Sequence, residues 1–183
     1  MAMRHWIPAA VCFGCLLAAP LEAQRPISFG LAGGASLPQG EVSDLVNTGW
    51  HALVTAALGS PMQPLGLRLD VAYNRFEFSD EAVATLGDGG HLTAGSATIN
   101  ITYRLPKATW QISPYLLLGA GAYRTECSVG PDCGSRVRYG WNYGLGARFF
   151  FLGLRNFVEI RGHRTKSRAG EVHFFPLTFG IMF

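Results

Sequence analysis

The chain has 183 residues, 49% of them hydrophobic and 15% charged, with 23 Gly and 4 Cys. That charged fraction lies well below the roughly 25% of an ordinary soluble domain, and no Gly-X-Y period or low-complexity tract points to a collagen-like or disordered chain. A formal charge of +3, not gathered onto one stripe, argues against nucleic acid as a partner.

The N-terminus reads as a targeting segment. Arg4 and His5 form a short basic region, and Trp6 to Ala19 form an apolar stretch too short to cross a bilayer as a helix, which needs roughly 20 residues. Leu21-Glu22-Ala23 then offers a small residue before Gln24. We therefore expect a signal peptide over 1–23 and one mature domain over 24–183. Removal of the leader takes Cys12 and Cys15 with it. Cys127 and Cys133 are left in an oxidising compartment.

From there the dominant signal is alternation with period two. Eight segments carry it: 27–36, 49–58, 66–76, 93–104, 112–124, 138–149, 156–164 and 174–183. In the third, Leu67, Leu69, Val71 and Tyr73 oppose Arg68, Asp70 and Ala72. In the sixth, Tyr139, Trp141, Tyr143, Leu145 and Ala147 oppose Gly140, Asn142, Gly144, Gly146 and Arg148. The fifth is apolar or Gly at both parities over 114–122, so its lipid-facing side stays open. Long and short connections alternate between the segments, the pattern of a membrane barrel with tight periplasmic turns and long outer loops. An even strand number returns both termini to one side. The expectation is an all-β fold, an eight-stranded antiparallel up-and-down transmembrane β-barrel.

Hydrocarbon demands that every backbone N–H and C=O be paired internally, and a closed barrel satisfies this. Its narrow interior is filled by side chains, with Gly140, Gly144 and Gly146 keeping space around longer polar groups. Trp50, Tyr73, Tyr103, Trp110, Tyr123, Tyr139, Trp141, Phe174 and Phe183 lie near segment ends and suit two aromatic girdles. The competing architecture is a soluble, lipocalin-like barrel with its apolar faces inward. Its outer surface should be rich in Lys and Glu, whereas the polar faces here are mostly Gly, Thr, Asn and isolated charges.

Pro114-Tyr115-Leu116-Leu117-Leu118-Gly119-Ala120-Gly121, Tyr139-Gly140-Trp141-Asn142-Tyr143-Gly144-Leu145-Gly146, Phe157-Val158-Glu159-Ile160-Arg161 and the closing Pro176-Leu177-Thr178-Phe179-Gly180-Ile181-Met182-Phe183 carry a resemblance. Through them the chain resembles the small bacterial outer-membrane β-barrels grouped around OmpA, OmpX and the opacity proteins. The resemblance implies the outer membrane of a diderm bacterium, and a terminal Phe183 read by the barrel-insertion machinery. It does not select an activity, because this family spans anchors, adhesins and serum-resistance factors.

Several residues are candidates for chemistry. Arg148, Glu159 and Arg161 share the polar parity of neighbouring segments, and Arg68, Asp70 and Arg104 extend the set. Together they predict an interior ion network that closes the lumen, the rival role being a gate for a narrow pore. Cys127 and Cys133 flank a Gly-Pro-Asp turn in the third long connection and suggest a disulfide. Without nearby His they do not suggest zinc. His163, Arg164, Lys166 and Arg168 form a basic run leading into the fourth long connection, placed to meet lipopolysaccharide phosphates. His163-Arg164-Thr165 with Glu171 is a faint echo of PagL-type lipid A deacylases, with Thr where that family has Ser. The expected protein is a monomeric, non-enzymatic barrel without metal or cofactor. It would act through its surface loops by adhesion, lipopolysaccharide contact or envelope integrity. A narrow channel and a lipid A hydrolase stand as alternatives.

Overall fold

The computed structural model describes residues 27–40, 43–59, 63–86, 89–106, 112–128, 135–167 and 170–183. The expected leader, Trp110, Cys133 and Arg168 lie outside them. Eight strands form a closed barrel in sequence order: β1 (Ile27–Gln39), β2 (Gly49–Gly59), β3 (Leu65–Glu77), β4 (His91–Arg104), β5 (Ile112–Cys127), β6 (Arg136–Phe151), β7 (Leu154–Ser167) and β8 (Gly170–Met182). Every neighbouring pair is antiparallel, and β1 closes against β8 from Gly30↔Met182 to Gln39↔His173. Phe29 and Phe183 exchange backbone hydrogen bonds at 2.7 and 3.3 Å, so pairing runs to the last residue.

The barrel is apolar outside and polar inside. Phe29, Leu31, Val54, Leu69, Val71, Ile99, Ile101, Leu118, Leu145 and Phe179 are exposed, whereas Arg68, Asp70, Asn100, Asn142, Glu159 and Arg161 are buried. This is the reverse of a lipocalin-like barrel, and it gives hydrocarbon the face it requires. Trp50 and Tyr73 pack together on the outside with ring centroids 5.7 Å apart, as do Trp141 and Tyr143 at 5.3 Å. Tyr123 and Phe174, expected in the girdles, point inward and are buried. The ambiguous strand β5 turns Tyr115, Leu117 and Tyr123 to the lumen and leaves Leu116 and Leu118 outside.

The strands run longer than the apolar alternation. Outward positions turn polar where a strand leaves the hydrocarbon, but backbone pairing continues, as at Thr125↔Arg136. The largest departure is at the fourth expected long connection. β7 and β8 pair up to Lys166↔Glu171 and Ser167↔Gly170, so only residues 168 and 169 separate them. At the other end, β6 and β7 join through Leu152 (φ 51°) and Gly153 (φ 77°). Two left-handed residues in succession match the twist of a tight hairpin, a conformation that Gly adopts freely and Leu adopts at a cost.

A short helix, α1 (Asp80–Leu86), interrupts the β3–β4 connection. The Ser79 hydroxyl accepts from the Ala82 N–H at 3.3 Å, and Asp80 and Glu81 occupy the first turn, where negative charge is favoured. Val46 bridges Phe78, and Ser79 N–H donates to the Leu45 carbonyl at 3.0 Å. The first two outer connections are therefore folded onto each other over the barrel mouth.

Candidate functional site: a closed lumen

The two-residue period of a strand places i and i+2 on one face. β3 thus sends Arg68 and Asp70 inward together, and β7 sends Glu159 and Arg161 to meet them. Arg68 Nε donates to Asp70 Oδ1 at 2.8 Å and its Nη1 to Glu159 Oε2 at 2.8 Å. Arg161 Nη2 reaches Asp70 Oδ2 at 2.7 Å, and Arg161 Nε donates to Glu159 Oε1. The signs alternate around a four-membered ring in which every charge meets two opposites. No side chain of the ring is more than 4% exposed.

Burying these ions costs several kcal/mol each, and the cost is offset only if the remaining lone pairs are also satisfied. Tyr115 Oη donates to Glu159 Oε2 at 2.7 Å, and Asn100 Nδ2 donates to Asp70 Oδ2 at 2.9 Å. Arg68 also lies 5.3 Å from the ring centroid of Phe157. Tyr115 fits because its partner in register is Gly146, where a Cβ would stand 2.6 Å from the phenol oxygen. The interior glycines do leave room for longer polar groups.

Towards the outer loops a second layer spans the lumen. Ser36 Oγ donates to Asn74 Oδ1 at 2.8 Å and sits 3.2 Å from His51 Nδ1, while His51 Nε2 contacts Thr178 Oγ1 at 2.9 Å. Beyond it the mouth is plugged by Val46, Phe76, Ala94 and Phe174, with Phe78 and Leu92 packed alongside. Phe76 and Phe174 meet edge to face at 6.0 Å. A polar ring at mid-height and an apolar plug above it close the lumen twice.

The expected network is thus real but smaller. Arg68, Asp70, Glu159 and Arg161 form it; Arg148 and Arg104 do not. Arg148 pairs with Phe157 in register, two residues nearer the termini than Glu159, so it stacks over Tyr115 at 4.9 Å instead of pairing with a carboxylate. Arg104 donates to the Gln63 carbonyl at 2.5 Å, close to the first tight turn. Tyr115 and Asn100 were not foreseen as partners. Tyr115 lies on the strand whose inward face the sequence left open.

The basic run is also corrected. His163 does not face the surface: it is buried, stacks on Phe174 with ring centroids 4.8 Å apart, and places Nδ1 2.9 Å from Tyr123 Oη. Arg164 points outward, its guanidinium 5.5 Å from the Trp141 ring centroid. Lys166 belongs to β7, not to a loop. Of the deacylase echo, His163 and Thr165 are both buried in the lumen. Cys127 is disulfide-bonded, and its expected partner Cys133 lies outside the described residues. No cluster of three or more His, Cys, Asp or Glu is placed to hold a metal among the described residues.

A family model described as outer membrane protein beta-barrel domain matches residues 9–183. The fold is similar to Neisserial surface protein A, at TM-score 0.63 and 12% identity over 85% of this chain and 95% of that one. It is also similar to Ail, the attachment invasion locus protein of Yersinia pestis, at TM-score 0.50 and 21% identity over 86% and 96% of the two chains. A major outer membrane protein of Thermus thermophilus aligns at TM-score 0.52 and 13% identity, covering 86% of this chain and 98% of that one. No curated protein sequence matches the chain. With its closed eight-stranded barrel and its apolar exterior, the chain belongs to the outer-membrane β-barrel family.

Proposed function

We propose that this protein is a monomeric, non-catalytic barrel of a diderm outer membrane that does not conduct, and that it works through its outer rim by contact with lipopolysaccharide. The observation that carries this reading is the doubly closed lumen, with a neutral ion ring at mid-height and an apolar plug above it. A barrel so filled leaves its outer surface to act. The β5–β6–β7 side of that rim favours an anionic partner. On the outer face Arg124 stands opposite Val137, beside Glu126 with which it pairs at 2.5 Å, and Arg164 lies opposite Trp141. The neighbouring Tyr139 is 83% exposed, so cations sit just above aromatic side chains at the level of lipid headgroups. Guanidinium forks match phosphate oxygens in pairs. The strand ending on Phe183 is the segment the barrel-insertion machinery would read.

The test is titration of purified lipopolysaccharide against the detergent-folded protein and its R124Q/R164Q variant. The variant should bind at least about tenfold more weakly, equivalent to about 1.4 kcal/mol. Equal binding by the two proteins would remove the rim from the interaction.

A further inference from the structure

The end of the lumen where β1 begins and β8 ends holds a cavity of about 330 Å³. Three arginines reach it from three strands: Arg104 from β4, Arg148 from β6 and Arg155 from β7. No Asp or Glu lines it among the described residues. The nearest interior carboxylate, Glu159, already accepts from Arg68, Arg161 and Tyr115. Arg148 makes no ion pair among the described residues and is held by the face of Tyr115. Arg155 extends across the barrel seam to Ser28 Oγ at 3.5 Å.

Two like charges, those of Arg148 and Arg155, in one concavity with low-dielectric walls repel each other and focus a positive potential on the space between them. An anion placed there relieves that repulsion. Ser28 and Ser113 add hydroxyl donors to the lining, and Leu58 and Phe149 supply an apolar wall for an organic body. The adjoining β6–β7 turn exposes Phe150, Phe151 and Leu152 at 70%, 59% and 83%. An apolar tip of this kind suits burial at the boundary between headgroups and acyl chains. With the termini in the periplasm, it would set the cavity at the depth of inner-leaflet phosphates.

We infer that this mouth is a binding site for a phosphate ester, held by Arg148 and Arg155. The ester is either the headgroup of an inner-leaflet phospholipid or a free periplasmic phosphate ester. The site is independent of the outer rim and would stand if lipopolysaccharide contact failed.

The protein is folded in maltoside micelles for calorimetric titration with glycerol phosphate. In parallel it is placed in phosphatidylcholine nanodiscs doped with phosphatidylglycerol, and lipid retention is read by native mass spectrometry. Retention of phosphatidylglycerol without glycerol phosphate binding assigns the lipid headgroup, and binding of glycerol phosphate assigns the free ester. In either case R148Q and R155Q should each weaken binding at least about fivefold, while R75Q, the same charge change near the opposite end, leaves it unchanged. Arg155 lies at the rim, so R155Q keeps the test alive if R148Q fails to fold. Absence of saturable binding of both probes, or equal binding by R155Q and the parent, would overturn the site.

Discussion

Arginine occupies two different settings along the same lumen. At mid-height Arg68 and Arg161 are locked into a ring with Asp70 and Glu159. At the terminal mouth Arg104, Arg148 and Arg155 line a cavity with no carboxylate among its described lining residues; Arg104 contacts a backbone carbonyl, Arg148 an aromatic face and Arg155 a hydroxyl. The difference is one of height, not of face. Glu159 stands opposite Gly146 and Phe157 opposite Arg148, so a shift of two residues separates an ion-paired arginine from one without a carboxylate. Parity places a charge inside a barrel, but register decides what it meets there. The middle therefore behaves as structure, whereas Arg148 at the mouth meets an aromatic face and no carboxylate among the described residues.

Substitutions should rank accordingly, and each either sharpens or breaks the contrast. The largest loss is expected from E159A, which leaves Arg68 and Arg161 short of a buried partner. About 3–5 kcal/mol is typical of such a break, and the heat-induced shift on SDS gels should move to markedly lower temperature. An unchanged transition would mean that the ring does not stabilise the barrel. Next is F174A in the outer plug, at about 3 kcal/mol for a buried phenylalanine, read by urea unfolding followed through tryptophan fluorescence. A loss as large as that of E159A would make the plug, not the ring, the principal closure.

G146V comes third. Even a Cβ at this position would stand 2.6 Å from the Tyr115 hydroxyl, so Tyr115 must tilt away from Glu159 at about 1–3 kcal/mol. Combined with Y115F, which deletes that hydroxyl contact, the two losses should fall short of additive, and full additivity in a double-mutant cycle would separate Gly146 from the ring. The smallest effect belongs to R155Q at the mouth, within about 0.5 kcal/mol of the parent by the same unfolding assay. A loss of several kcal/mol there would show that the mouth arginines are structural as well.

Much of this architecture was legible because a membrane strand must satisfy two solvents at once. Leu67 to Tyr73 alternate so cleanly that the inward direction of Arg68 and Asp70 follows from the sequence. Strand β5 was not legible: Leu116, Leu117 and Leu118 are alike at both parities, and only pairing with β4 and β6 turns Leu117 inward. That same ambiguity concealed Tyr115, the hydrogen-bond donor to Glu159. The outer ends were misjudged for a related reason. Backbone pairing beyond the hydrocarbon needs no apolar face, so the stretch 165–167 reads as a loop although it belongs to β7. His163 was misplaced with it, since nothing in a run of basic residues reveals that one of them stacks on Phe174.

The most direct test of a barrel that works as a plug is single-channel recording of the folded protein in planar bilayers. A doubly closed lumen predicts no discrete opening at moderate voltage, with conductance steps emerging only when Glu159 and the Phe174 plug are removed together. Regular openings of the unmodified protein would contradict closure and return the narrow channel as the function.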